Sequence, residues 1–283
     1  MNRLDATRRA TVIRCLVEGN SIKSTCCMAK VAKNTVLKLL VEIGSACSGY
    51  LDETMRNLPC RRLEANEAWS FCSCRQRLVT PKIKEEHDAG DVWAWVAIDA
   101  DTKLIPCWLL GKRDTICATE FIQDLAGRLA NRIELTTDGI KVYINAVSGA
   151  YGEDIGYSVL HKIYGNEWTE EARYSIGREK KSVSVDPDTK YASTGYIERQ
   201  SRTMRMPMRR FARLSDGFSK KIENHSAGVA LYMMFYNFGR KHQTLGTTPA
   251  VKAGLTDHAW SVEEIISLLE DTETKSPRRA ASN

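Results

Sequence analysis

Asp91-Val92-Trp93-Ala94-Trp95-Val96-Ala97-Ile98-Asp99 is dense in aromatic and β-branched residues, a composition that suits a pleated, packed surface and reads as a strand. Ala100-Asp101-Thr102 has turn chemistry, and 103–110 reads as a returning strand, so the pair predicts an antiparallel hairpin. Residues 115–131 then place Phe121, Ile122, Leu125 and Leu129 on one helical face. A short apolar strand over 133–137 ends at Asp138, and upstream 63–72 reads as a further strand. Strand, strand, strand, helix, strand, helix constrains the chain to a mixed α/β domain.

Other segments flank this domain. Residues 5–44 predict three helices, over 6–18, 21–30 and 34–43, with a Gly19-Asn20 break and Asn20 or Ser21 as a cap for the second. In the third helix Val36, Leu39, Leu40 and Ile43 form a buried stripe, which leaves Lys33, Asn34, Thr35 and Lys38 facing outward near its start. A helix-turn-helix offers such residues to the DNA major groove. The reading divides the chain into a helix-turn-helix module over 1–46, a linker with some helix over 47–62, an α/β domain over 63–255, and a C-terminal helix and disordered tail over 256–283. Residues 79–90 and 151–190 read as polar insertions. The apolar run 229–238 reads as a helix packed on the sheet, with His225 and His242 as structural histidines.

Lys and Arg outnumber Asp and Glu by 41 to 35 among 283 residues, a net charge of +6. The imbalance is concentrated in Arg199, Arg202, Arg205, Arg209, Arg210, Arg213, Lys220 and Lys221, against Asp216 alone. Arg199 to Arg213 recur at three- or four-residue steps, a ridge suited to phosphate backbones, although Pro207 predicts a break near Met206. Nine cysteines show no Cys-x-x-Cys pair, which argues against a zinc site and for reduced, mostly buried thiols. Met1 to Arg9 is polar and no apolar run reaches membrane-spanning length. The expectation is a cytoplasmic, nucleoid-associated protein without a membrane partner.

The predicted strand order resembles the RNase H-like fold, in which one acid sits inside the first strand, a second ends the fourth, and a third lies on a later helix. Asn66, Asp138 and Glu198 occupy those places. Acids so arranged hold divalent ions for phosphodiester chemistry. More specifically, the chain resembles the insertion sequence one family of DDE-type bacterial transposases. The resemblance spans about 1–265 and rests on Gly19-Asn20-Ser21-Ile22, Lys33 to Leu40, Asn66 to Phe71, Gly90 to Trp93, Ile98 to Leu104, Leu135 to Gly139 and Tyr196 to Gln200. It continues through Thr203 to Met206, Met208 to Phe211, Phe218 to His225, Tyr236-Asn237-Phe238 and Thr247 to Ala250.

The resemblance implies catalytic positions 66, 138 and 198, with Asp138 and Glu198 as metal ligands and two Mg²⁺ or Mn²⁺ ions in an active enzyme. It also implies binding of double-stranded DNA, at inverted-repeat ends and at a target, by a homo-oligomer. The chain departs from the family pattern at Asn66 (Asp in the family), Ile140 (His), Tyr191 (His) and Ser201 (Asn). Asn66 removes one negative charge from the metal site, so weak or absent cleavage and strand transfer is expected. Glu67 points to the opposite strand face and Glu64 lies about 6.5–7 Å along the strand, so neither is expected to replace it. The competing expectations are a catalytically dead DNA-binding repressor or dominant-negative of related transposases, and a generic RNase H-like nuclease that would not need the N-terminal module.

Overall fold

The structure is a computed structural model that describes residues 4–86, 89–164, 176–182, 192–211 and 217–275. Its elements begin with α1 (Ala6–Val17), α2 (Ile22–Ala29), α3 (Lys33–Thr54), β1 (Arg62–Cys72), α4 (Pro81–Glu86), β2 (Gly90–Asp99) and β3 (Trp108–Gly111). They continue with α5 (Thr115–Ala126), β4 (Glu134–Asp138), α6 (Val142–Tyr151), β5 (Gly156–Tyr164) and β6 (Ile176–Ser182). The last four are α7 (Gly195–Arg205), α8 (Ile222–Met234), α9 (Pro249–Lys252) and α10 (Val262–Lys275), followed by no further described element. The protein is mixed α/β and forms two compact units. One comprises Met1–Thr54, Ser70–Asp91 and Met204–Asn283; the other comprises Met55–Trp69 and Val92–Thr203. None of the described helices is long and apolar enough to cross a membrane.

In the second unit the strand order is β3-β2-β1-β4-β5-β6. β2 and β3 pair antiparallel, β1 with β4 and β4 with β5 pair parallel, and β5 and β6 pair antiparallel. The fourth strand therefore lies beside the first. Fully buried Trp95 anchors α5 and α6, with its ring 6.1 Å from Phe121 and edge-on to Tyr143 at 5.4 Å. The β2–β3 turn is built on Asp99, whose Oδ2 accepts from the Thr102 N–H at 2.9 Å and hydroxyl at 2.6 Å. The expected strand over 103–110 is shorter, starting at Trp108, because Lys103 takes the left-handed conformation at φ 62° and Pro106 lacks an N–H for the ladder. The expected insertion 151–190 contains β5 and β6, and 79–90 contains α4. β6 carries Arg178, Glu179, Lys180 and Lys181, charges that suit an edge strand and hide its strand character.

In the first unit Ser21 caps α2 by accepting from the Ser24 N–H at 3.0 Å, and Asp5 caps α1 through the Arg8 N–H at 2.8 Å. Lys30, left-handed at φ 53°, turns the chain toward α3. That helix runs to Thr54, so the helix expected within the linker is a continuation of α3. The expected stop near Gly44 fails because this glycine is a contact point: a Cβ there would collide with the backbone of Ala227 in α8. Buried Cys47 and Leu51 continue the apolar stripe beyond it. α8, expected on the sheet, packs along α3, and α10 packs on α1 and α3. The C-terminal helices thus share a unit with the N-terminal ones, unlike the linear division expected. α10 extends through 272–275, where a tail was expected; 276–283 lie outside the described residues. All nine cysteines are free thiols, with Cys47, Cys60, Cys72 and Cys107 buried.

Candidate active site

Asn66 lies inside β1, Asp138 closes β4, and Glu198 stands in the first turn of α7, all in the second unit. The β1–β4 register pairs Glu64 with Thr136 and Ala65 with Thr137. The paired residues end one step before Asn66 and Asp138, which follow next in their two adjacent strands.

Glu64 ties α7 to β1. Its Oε2 accepts the N–H groups of Tyr196 at 2.7 Å and Ile197 at 2.9 Å, satisfying amides that a helix start leaves open and setting a carboxylate at the positive end of the helix. Burial raises the Glu64 pKa, against the lowering pull of these amides, Ser193 and Lys103. Thr194 donates its hydroxyl to Glu198 Oε1 at 2.6 Å, while the Glu198 N–H returns to the Thr194 carbonyl at 3.0 Å. Tyr196 is exposed beside them, with Lys103 Nζ 3.3 Å from its ring centroid.

Asn66 Oδ1 accepts the Glu67 N–H at 2.8 Å, and Asp138 Oδ1 makes a long contact of 3.4 Å with the Ile140 N–H. Among the described residues no three His, Cys, Asp or Glu side chains gather as a metal-ligating group. The site offers an ion two half-buried carboxylates and one amide oxygen that already holds an N–H. These are hard oxygen donors suited to Mg²⁺. With two negative charges they balance one divalent ion and not a pair.

Glu67 is the residue that sequence reasoning undervalued. It sits in a buried cluster: Arg113 Nη2 lies 3.4 Å from Oε2, and Tyr143 faces the same carboxylate. Burial first, and the Asp138 charge second, push the Glu67 pKa up to about 7. Its Oε1 and the Tyr143 hydroxyl are buried and have no hydrogen-bond partner among the described residues. The available signal was an acid between Ala65 and Ala68 in a strand otherwise destined for the interior.

The expected DNA-binding residues divide between the units. Lys33, Asn34 and Lys38 are exposed at the start of α3, with Thr35 half-buried and Lys38 3.8 Å from Glu42. Arg199 and Arg202 are exposed on α7, and Arg205 is half-buried. α7 ends at Arg205, two residues before Pro207, so the basic residues do not form one continuous helical ridge. Arg209, Lys220 and Lys221 are exposed, whereas Arg210 turns inward and donates from Nη1 to the Asn224 carbonyl. Arg213 lies outside the described residues, as does Tyr191. Lys33, Arg209, Arg210 and Lys220 line a single recess of the first unit. The chain matches no known protein-family model and no curated protein.

Proposed function

We propose that this chain is a transposase-type protein that binds the inverted-repeat ends of a mobile DNA element and carries a cleavage and strand-transfer site weakened by Asn66. The observation that carries the reading is the meeting of three elements: β1 and β4 pair parallel up to the residues just before Asn66 and Asp138, and Glu64 of β1 holds the first turn of α7, which bears Glu198. The neighbour order β3-β2-β1-β4-β5, with acids on β4 and on a later helix, supports an RNase H-like assignment. Capped α2 and the exposed Lys33, Asn34 and Lys38 at the head of α3 support a helix-turn-helix that meets double-stranded DNA.

In this reading Asp138 and Glu198 hold Mg²⁺ or Mn²⁺, and Asn66 lends a neutral oxygen. These three side chains would hold such an ion, which would supply activation of the attacking oxygen and charge stabilisation of the leaving one. Thr194 orients Glu198 through its hydroxyl, and Glu64 orients the helix turn that carries it. Arg199 and Arg202 supply positive charge for the DNA backbone along α7. A homo-oligomer joining two DNA ends in the bacterial nucleoid completes the proposal.

The engagement of Asn66 Oδ1 by the Glu67 N–H favours a second reading, a DNA-binding repressor of related elements without catalysis. The binding half common to both is tested by gel shift on duplexes from the DNA flanking the gene. Specific retention of an inverted repeat, lost in Lys33→Ala/Asn34→Ala, is expected; equal retention of all duplexes by the parent and the variant contradicts it.

A further inference from the structure

The first unit holds a partly open cavity of about 640 Å³ between the α1–α2 corner, the start of α3, Pro207 to Arg210, and residues between Gly217 and Tyr232. This is the size of a small-molecule site. Its apolar wall comes from Val17, Leu37, Leu40 and Leu231, with Tyr232 beside them. Lys23, Lys33, Arg209, Arg210 and Lys220 also line it, and none of the described lining residues is acidic.

Arg210 sets this cavity apart from an ordinary basic surface. Its guanidinium is packed so closely on Gly228 that any Cβ there would collide with it, and its hydrogen-bond acceptor is the neutral Asn224 carbonyl. No carboxylate pairs with it among the described residues. Burial lowers its pKa to about 10, and neighbouring His225 is held neutral, its pKa pushed down to about 3 by burial and then by the Arg210 charge. A half-buried cation with no carboxylate partner among the described residues is costly, and an incoming anion would offset that cost.

We propose that this cavity binds an amphipathic organic anion, its carboxylate paired with Arg210 and its alkyl body laid along Leu37, Leu40 and Leu231. The aliphatic wall selects the body and the basic lining selects the head. Because Lys33 and Leu37 belong to the first turns of α3, the occupant reaches the helix assigned to DNA, and where that assignment holds the ligand competes with DNA. Ligand binding itself does not depend on that assignment.

The test is isothermal titration of the full chain with decanoate, in parallel with dAMP as an anion of different body. Decanoate should bind, at least about tenfold more weakly to Arg210→Met, and should be excluded by Leu37→Trp, which fills the cavity while keeping Arg210. Lys252→Met, at an exposed position outside the cavity, should bind as well as the parent. Circular dichroism checks each variant, and Leu37→Trp decides should Arg210→Met fail to fold. Absence of decanoate binding, binding unchanged in the folded variants, or binding of dAMP alone would overturn the proposal.

Discussion

Glu64 accepts both the Tyr196 and Ile197 N–H groups, at 2.7 and 2.9 Å, across 132 and 133 residues of sequence. A buried strand carboxylate therefore serves as an anchor for the helix start, beside Ser193, whose hydroxyl accepts the Gly195 N–H at 3.0 Å. Glu64→Ala should cost about 2–3 kcal/mol, since it leaves buried amides unsatisfied, whereas Glu64→Gln keeps an acceptor and should cost less. Urea denaturation of the two variants checks this; equal losses would assign the effect to packing alone.

Glu67 gives stability a pH dependence of defined sign. Its folded pKa is raised from the ordinary 4.5 to about 7, so the folded state favours the protonated acid. Its contribution is full below 4.5 and is lost as pH rises through about 7. Glu67→Gln removes this dependence and should gain up to about 3 kcal/mol relative to the parent between pH 4 and pH 8.5. A stability difference that is the same at both pH values would contradict the raised pKa of this buried carboxyl.

Gly44 is the contact point between α3 and α8. Gly44→Val should destabilise by about 1–3 kcal/mol through overpacking, despite the better helix propensity of any residue over glycine. Thermal unfolding followed by circular dichroism reads the outcome, and a raised Tm would mean that the helices can separate without loss.

The inward turn of Arg210 separates it from Arg209 in a DNA-binding assay. Arg209→Ala and Lys220→Ala should each reduce the slope of log K against log salt by about 1 for all duplexes alike. Arg210→Met should leave that slope nearly unchanged, because its guanidinium faces the cavity and Asn224. Equal effects of Arg209 and Arg210 would place both on the phosphate backbone.

Local patterns carried much of the architecture. Ser21 as a cap, the Val36–Leu39–Leu40–Ile43 stripe, the β2 run ending at Asp99 and the stop before Pro207 all follow from nearest-neighbour chemistry. What stayed hidden depends on contacts distant in sequence. Gly44 reads as a helix stop until Ala227 is seen against it, and the lysines of β6 read as a loop until the strand is placed at the sheet edge. At the site, Asn66, Asp138 and Glu198 were legible as positions, while the anchoring by Glu64 and the burial of Glu67 beside Arg113 were not. Both acids sit in the same strand segment as Asn66, and only the partners supplied by α7 and by Arg113 and Tyr143 tell their roles apart.

The central claim is that the site retains the arrangement for cleavage but lacks one charge. Its most direct test is 3′-end cleavage and strand transfer on a matched inverted-repeat duplex with Mg²⁺ or Mn²⁺, comparing the chain with Asn66→Asp. The account predicts little or no product from the parent and clear metal-dependent product once the acid is restored. Equal, efficient cleavage by both proteins would contradict it, because the missing charge would then be irrelevant to the chemistry.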